Sequence, residues 1–280
     1  MHTDATESSH GTNGWRRFWE RGGWWRALLL VVAYYALYQL GSFAFLPLVT
    51  STDDPAALIW FGTALPIALG GVLLVLFAWS VGWLRELFGS QPIRGRGWMW
   101  IAVAVVLLFN VLRFATIDYG ATGAGVVVAW VVAGLFIGFA EEVLTRGFVV
   151  NLMRKGGYRE IVVALVSALL FALLHSGNLL SGQSPLATGF QLVYTFAFGI
   201  LMYLSLRVTG NLIWPILLHA TTDPSIFLQS AYPADGALTA IAAQGNIAVV
   251  IAGIVLLFFI RGKVEPTASV AEPGIDTKVA

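Results

Sequence analysis

Two adjacent carboxylates and a guanidinium lie inside the apolar stretch 125–153 of this chain: Glu141, Glu142 and Arg146. Each such charge costs about 2.5–3.5 kcal/mol at the centre of a membrane helix, so a chain that keeps three is expected to use them. On a helix, Glu142 and Arg146 are four positions apart and share a face, so they can pair. Glu141 lies about 100° away, and its own neighbour four positions on is Thr145. Glu141 is therefore the carboxylate left free for chemistry.

Three further ionisable side chains, within or at the end of the apolar stretches, are candidates for the same site: His175, His219 and Asp223. At 1.5 Å per residue, Glu141 and His175 lie about 20 Å from the same face of the membrane, His219 about 12 Å and Asp223 about 18 Å. The four side chains can therefore meet in one layer of a helix bundle. One free carboxylate and two histidines on three helices are the groups needed to activate a water molecule.

Three other interpretations of these residues stay open. His219 and Asp223 are four apart, so the aspartate can orient the imidazole, or both can bind one metal ion. Two histidines and a carboxylate also form a three-ligand Zn²⁺ set with an open position for water. The candidate metal ligands are Glu141, His175, His219 and Asp223, and the same atoms can activate water without a metal.

A proton-coupled transporter uses the same residue types. Such transporters usually have repeated halves with paired broken helices. Here the polar groups crowd into residues 141–223, which favours one site in one half of the chain. The absence of cysteine excludes a thiolate metal site and a cysteine nucleophile.

The helices that position these residues are predicted from the composition, which is 58% hydrophobic and 11% charged and excludes a water-soluble globule. A membrane helix needs about 17–25 apolar residues. Eight stretches are interpreted as spans, with connecting loops at 177–189 and 224–236. The spans are 27–49, 57–84, 98–116, 125–153, 161–176, 189–206, 211–222 and 241–260. The predicted fold class is all-α, a polytopic membrane helix bundle of about eight transmembrane helices.

The basic residues predict the orientation of the bundle. Fourteen Lys and Arg residues fall on the side of the N-terminus, and only Arg113 falls on the other side. Basic residues favour the cytoplasmic side, so both termini are expected in the cytoplasm, with the protein in the plasma or inner membrane. Membrane lipids are the expected partners, and a net charge of +1 gives no sign of a nucleic-acid partner.

The chain divides into five predicted regions: a disordered head (1–14), an interfacial basic and aromatic segment (15–26), the first three transmembrane helices (27–122), a catalytic helical core (123–260) and a disordered tail (261–280). Within the core, Gly134 and Gly138 form a pair of small residues four apart. Such a pair lets a neighbouring helix approach closely, here just before the glutamates.

Three motifs occur in order in the core: Glu141-Glu142-Val-Leu-Thr-Arg146, Phe171-Ala-Leu-Leu-His175 and His219-Ala-Thr-Thr-Asp223. Together they resemble the CPBP intramembrane proteases, also called the Abi or type II CAAX prenyl endopeptidase-like family. The sequence lacks the His-Glu-x-x-His motif of zinc proteases and the Gly-x-Gly-Asp and Gly-x-Ser-Gly motifs of other intramembrane proteases.

The resemblance implies hydrolysis of peptide bonds in membrane-tethered or lipidated substrates, reached from the cytoplasmic side. It implies that Glu141 and His175 activate the water, that His219 and Asp223 face the oxyanion, and that Glu142, Arg146 and Phe171 support the site. Family members that process prenylated proteins carry Asn where this chain has Asp223, and an ionised Asp cannot donate a hydrogen bond. The alternative functions are a non-catalytic immunity factor or scaffold, or the transporter.

Overall fold

The computed structural model describes residues 14–264, and within them the chain is helical, with two isolated bridges and no β-strand. The predicted disorder of residues 1–13 and 265–280 lies outside the described part. The fold class is all-α, as predicted. The main helices are α1 (Gly14–Glu20), α2 (Trp24–Val49), α3 (Pro55–Val81), α4 (Gly97–Phe114), α5 (Ala124–Lys155), α6 (Glu160–Leu179), α7 (Pro185–Thr209), α8 (Ile213–Ala231) and α9 (Ala237–Leu257). Two four-residue helices, Leu84–Leu87 and Tyr119–Thr122, lie in the connections after α3 and α4.

Seven of these helices, α2 to α7 and α9, are long and apolar enough to cross a membrane, counted over residues 14–264. The chain is therefore an integral membrane protein. The remaining predicted span, 211–222, corresponds to α8, which is 19 residues long but falls outside this set. It carries His219 and Asp223 together with Thr and Ser side chains, which reduce its hydropathy. Its buried residues pack it into the bundle beside the other seven.

Basic residues gather at one end of the bundle. Glu160 accepts hydrogen bonds from Arg154 at 2.8 and 2.9 Å and from Arg207 at 3.0 Å. The backbone of Arg159 forms an isolated antiparallel β-bridge with that of Lys263, so the described start of the predicted tail packs against this end. Four of the basic residues predicted to share one side, Arg154, Arg159, Arg207 and Lys263, therefore lie at one end of the bundle, and their cytoplasmic location stays a prediction.

The opposite end of the bundle joins the loop after α4 to the loop after α8. Ile117 bridges Pro233, and the Asp118 nitrogen donates to the carbonyl of Tyr232 at 2.8 Å. Helices α4 and α8 therefore run in the same direction from the basic end, which agrees with the predicted alternation of spans.

The predicted loop 177–189 is too long. Helix α6 continues through a 3₁₀ segment from His175 to Leu179, and α7 begins at Pro185. The oxygen of Ser184 accepts a hydrogen bond from the Ala187 nitrogen at 3.2 Å, and proline occupies the first helical position. Serine followed by proline is a recognised helix start, and this signal was missed in the sequence.

The predicted loop 224–236 is also wrong at its start, because Pro224 lies inside α8. A proline has no N–H, so it leaves the Ala220 carbonyl without its helical donor. Helix α5 packs against this point: a Cβ atom on Gly134 would lie 2.4 Å from both the Ala220 oxygen and the Pro224 ring. The helix therefore continues past Pro224 to Ala231 while packed against a neighbour, as prolines within membrane helices can.

Candidate active site

The close crossing of α5 and α8 brings the histidine of one helix to the glutamates of the other. A Cβ atom on Gly138 would lie 2.6 Å from the Ile216 oxygen and 2.7 Å from the Ala220 nitrogen. No side chain larger than hydrogen fits this gap without a shift of one helix. The close approach predicted from Gly134 and Gly138 is confirmed, and the partner helix is the one that carries His219.

Glu142 is fully buried and committed to two partners. Its Oε1 accepts a hydrogen bond from Arg146 Nη1 at 3.1 Å, and the same oxygen lies 2.7 Å from His219 Nδ1. The pairing of Glu142 with Arg146 expected from their spacing is therefore present. A carboxylate at this nitrogen orients the ring of His219 and leaves its Nε2 to face the site. The role considered for Asp223, that of orienting the imidazole, is taken by Glu142.

Glu141 is the less engaged of the two glutamates. Its side chain is 20% exposed, whereas that of Glu142 is 0% exposed. Its Oε2 lies 3.6 Å from His219 Nε2, beyond hydrogen-bond length, and has no hydrogen-bond partner among residues 14–264. Its backbone oxygen accepts from the Thr145 hydroxyl at 2.5 Å. The structure thus leaves one carboxylate free beside an imidazole.

The backbone after the glutamates is a π-helical segment, Val143–Val149, which contains Arg146. Segments of this type are frequent at functional sites in helices. Helix α6 is held to it by Ser167, whose hydroxyl donates to the Thr145 carbonyl at 2.9 Å. This contact fixes the helix that carries Phe171 and His175 against the helix that carries the glutamates.

His175 ends the α-helical part of α6, and its Nδ1 lies 3.1 Å from the Phe171 carbonyl oxygen. A carbonyl oxygen only accepts, so Nδ1 is the donor, and Nε2 of the neutral ring has a free lone pair. The edge-to-face contact of this ring with Phe171 has a centroid distance of 5.1 Å. His175 is thus held in one orientation, with an acceptor nitrogen available.

Phe171 forms the wall shared by the other site residues. Its ring meets that of His219 edge to face at 5.8 Å, and the Arg146 guanidinium lies over its face at 4.5 Å from the centroid. A guanidinium over an aromatic face is attracted by the ring quadrupole. Phe171 therefore contacts the Arg146 guanidinium and both imidazole rings, and holds the three side chains around one ring.

Asp223 lies one turn after His219 on α8 and is partly exposed. Glu141 lies 3.6 Å from His219, and the rings of His175 and His219 both contact Phe171. Glu141, His175 and His219 are therefore brought together from α5, α6 and α8, with Asp223 one turn after His219.

Two side chains that contact this region were missed in the sequence. Phe198 of α7 packs edge to face on His219 at 4.8 Å, but an aromatic residue in an apolar helix gives no signal. Asn110 of α4 is 1% exposed and donates to the hydroxyls of Thr221 and Thr222, both at 2.9 Å. A buried asparagine in a membrane helix was a readable signal, because such a group needs a polar partner. The first three spans are thus less bare of polar groups than expected.

A polar cavity of about 580 Å³ lies towards the basic end of the bundle and reaches Arg146. Lys155 stands in its wall, paired with Glu20 at 2.6 Å and with Glu86 at 2.8 Å. Arg146 separates this cavity from Glu142. The cavity therefore connects the basic end of the bundle to Arg146, which supports Glu142.

The donor atoms of the zinc hypothesis are only partly brought together. Among residues 14–264, no three His, Asp or Glu side chains lie close enough to hold one metal ion. Nδ1 of His175 is engaged by Phe171 and Nδ1 of His219 by Glu142, which leaves on each ring the Nε2 that a metal ion could take. The three-ligand set is not assembled in this arrangement, zinc binding stays a prediction, and the steps proposed below use no metal.

The fold and the site define a class: a polytopic helical membrane protein with a carboxylate and two imidazoles in its interior. Residues 123–224 match the family model described as Rce1-like, type II CAAX prenyl endopeptidase Rce1-like. The resemblance read from the three motifs is thereby confirmed, and the matched segment contains all seven site residues. This segment is therefore similar to intramembrane proteases of the CAAX type. No curated protein and no solved structure matches the chain significantly.

Proposed function

We propose that this chain is an intramembrane endopeptidase that hydrolyses peptide bonds of membrane-tethered or lipidated polypeptides. The observation that carries the proposal is the difference between the two adjacent glutamates. Glu142 is bound to Arg146 and His219, while Glu141 is free and partly exposed beside His219. A free carboxylate held next to fixed imidazoles is the arrangement that a water-activating site requires.

In the proposed reaction, Glu141 accepts a proton from water as the water oxygen attacks the carbonyl carbon of the peptide bond. His175 holds the same water through Nε2, because its Nδ1 is used by the Phe171 carbonyl. The carbon–nitrogen bond then breaks, and Glu141 passes the proton to the leaving nitrogen. The products are an amine and a carboxylic acid.

His219 is proposed to stabilise the negative oxygen formed by the attack. It donates from Nε2 to that oxygen and from Nδ1 to Glu142, which lies 2.7 Å away. An imidazole that donates through both nitrogens is cationic, and the Glu142 carboxylate compensates this charge. A preorganised donor in such a site lowers the barrier by about 2.7–4 kcal/mol. Asp223 faces the same oxygen and can donate to it only when protonated.

The test uses purified protein in lipid vesicles with a mixture of single-span peptides, and mass spectrometry detects the cleaved products. Wild type is compared with Glu141→Ala and His175→Ala, and Asp235→Ala, which removes an exposed carboxylate at the opposite end of the bundle, is the control. We expect the first two variants to lose at least about a hundred-fold in rate, as general acid–base groups do, and Asp235→Ala to match wild type.

Cleavage by Glu141→Ala and His175→Ala at the wild-type rate would refute the protease and favour a binding role. Proton-driven uptake by the same vesicles, without cleavage, would favour the transporter. Elemental analysis of the active sample, with a chelator control on activity, tests the zinc hypothesis: stoichiometric zinc and loss of activity on chelation would contradict the metal-free steps.

A further inference from the structure

Helix α2 brings a buried tyrosine to the site, and neither the motifs nor the family match includes it. Tyr34 is 7% exposed, and its hydroxyl has no hydrogen-bond partner among residues 14–264. A buried hydroxyl without a partner loses about 1–3 kcal/mol, so one left in this state needs a reason. Its ring stacks on that of Tyr38 at a centroid distance of 6.2 Å, which restricts its orientation.

The unpartnered hydroxyl has a matching acceptor nearby. Glu141 Oε2 is also buried and has no hydrogen-bond partner in the described part of the chain. Gly70 lies against the Tyr34 hydroxyl and the adjacent Gly71 lies against Phe139, two residues before Glu141, so the two groups occupy neighbouring positions. The tyrosine has one hydrogen to donate and the carboxylate can only accept, so the two unsatisfied groups complement each other.

Helix α3 provides the space for this hydroxyl. A Cβ atom on Gly70 would lie 2.5 Å from the Tyr34 oxygen and 3.3 Å from its ring carbon Cζ. The next residue, Gly71, is close to Phe139 of α5, where a Cβ would lie 3.3 Å from the ring. Two successive glycines therefore let α3 pack at once against Tyr34 and against the helix that carries Glu141.

We propose that Tyr34 is a positioning residue that donates a hydrogen bond from its hydroxyl to Oε2 of Glu141, directly or through one water molecule, when substrate is bound. The proposal rests on the proposed protease function. The hydrogen bond fixes the Glu141 carboxylate so that its other oxygen faces the attacking water. It also favours the ionised form of the carboxylate, which is the form that accepts a proton.

Several other charged and titratable groups face Glu141. Glu142 and Arg146 lie on its own helix, His219 and Asp223 come from α8, and Tyr38 comes from α2. His175 of α6 contacts Phe171, whose ring also meets that of His219. A change at Tyr34 leaves all of these in place, so a shift in the pH profile of Tyr34→Phe reports the lost hydroxyl.

The test measures kcat and KM from pH 5 to 9 for Tyr34→Phe in vesicles, with the peptide that wild type cleaves fastest. We expect kcat to fall about ten- to a hundred-fold with KM within about two-fold, as for the loss of one hydrogen bond to a charged group. The acidic limb of the profile should move to higher pH, because the carboxylate loses a donor that favours ionisation.

Gly70→Ala is a second, independent perturbation, because its methyl group must displace the Tyr34 hydroxyl. It should lower kcat in the wild-type protein and have no further effect in Tyr34→Phe, as expected for residues acting through one contact. Tyr119→Phe removes an exposed hydroxyl at the far end of the bundle and should match wild type.

Three outcomes separate the two proposals. If wild type cleaves and Tyr34→Phe has the wild-type kcat and pH profile, the role of Tyr34 is refuted and the protease function stands. If Tyr34→Phe loses rate with an unshifted acidic limb, the tyrosine only packs the helix and the inference is again refuted. A wild type that cleaves nothing refutes the protease function and the role of Tyr34 together.

Discussion

Replacement of Gly138 by alanine should separate His219 from the glutamates. The added Cβ would lie 2.6 Å from the Ile216 oxygen, about 0.8 Å closer than the 3.4 Å at which ordinary contacts begin. Helix α8 must therefore move away from α5 by nearly this amount. The 2.7 Å contact of His219 with Glu142 would lengthen to about 3.5 Å, which is no longer a hydrogen bond.

The effect on rate should exceed the effect on stability. A misplacement of about 1 Å at a catalytic group costs on the order of a hundred-fold in rate. Overpacking costs about 1–3 kcal/mol in stability, and the better helix propensity of alanine returns about 1 kcal/mol. Gly138→Ala should therefore remain folded, with a slightly lower melting temperature, and cleave about a hundred-fold more slowly.

The assay compares kcat of Gly138→Ala with that of Gly125→Ala, measured on the same peptide in vesicles. Gly125 lies on the same helix, and a Cβ there would lie 3.6 Å from Ala56, an ordinary contact. The control should match wild type in rate. A folded Gly138→Ala variant with the wild-type kcat would refute the view that this close crossing positions His219.

Three further changes test other parts of the site and its support. Asp223→Asn should keep kcat within about three-fold of wild type while Asp223→Ala loses about a hundred-fold, because the amide donates to the oxyanion as a protonated carboxyl does; a hundred-fold loss for both variants would contradict the donor role. Glu142→Gln should lower the free energy of unfolding in detergent by about 3–5 kcal/mol, because buried Arg146 loses its counter-charge; an unchanged value would show that the pair contributes nothing. Burial raises the pKa of Glu20, but hydrogen bonds from Lys155 and Trp83 outweigh it and hold that pKa below its usual 4.5. The stability that this lowered pKa contributes is present above about pH 4.5 and is lost as the pH falls through the folded-state pKa. The melting temperature of Glu20→Gln should therefore fall less on acidification than that of wild type. Equal falls in the two proteins would contradict a stabilising role for ionised Glu20.

The elements of the fold were largely predictable, because each membrane helix is set by a local run of apolar residues. The error at α8 falls where a second helix decides the outcome. Helix α8 continues through Pro224 while Gly134 packs against the exposed carbonyl, and no local pattern within 211–236 contains that information. The start of α7 at Pro185 was readable, since serine followed by proline is a local signal.

The pairing of Glu142 with Arg146 was predictable because both lie on one helix, at a spacing fixed by its geometry. The identity of the carboxylate that orients His219 was not predictable, because Glu142 and Asp223 both lie at a depth in the membrane that would let them reach its ring. Only the packing of α5 on α8 selects Glu142. An asparagine in an apolar helix indicates that Asn110 needs a polar partner. That this partner is Thr222 depends on how α4 lies beside α8.

By itself, the sequence determined that this protein crosses a membrane many times, that it carries a few costly ionisable groups in one half, and which of these groups share a helix face. These properties follow from the local free energy of burial and from the geometry of a single helix. Only the tertiary structure decided which carboxylate is bound and which is free, and that Tyr34 from a distant helix reaches the same site. Those outcomes depend on distances of a few tenths of an ångström between helices, which are set by side-chain packing across the whole bundle.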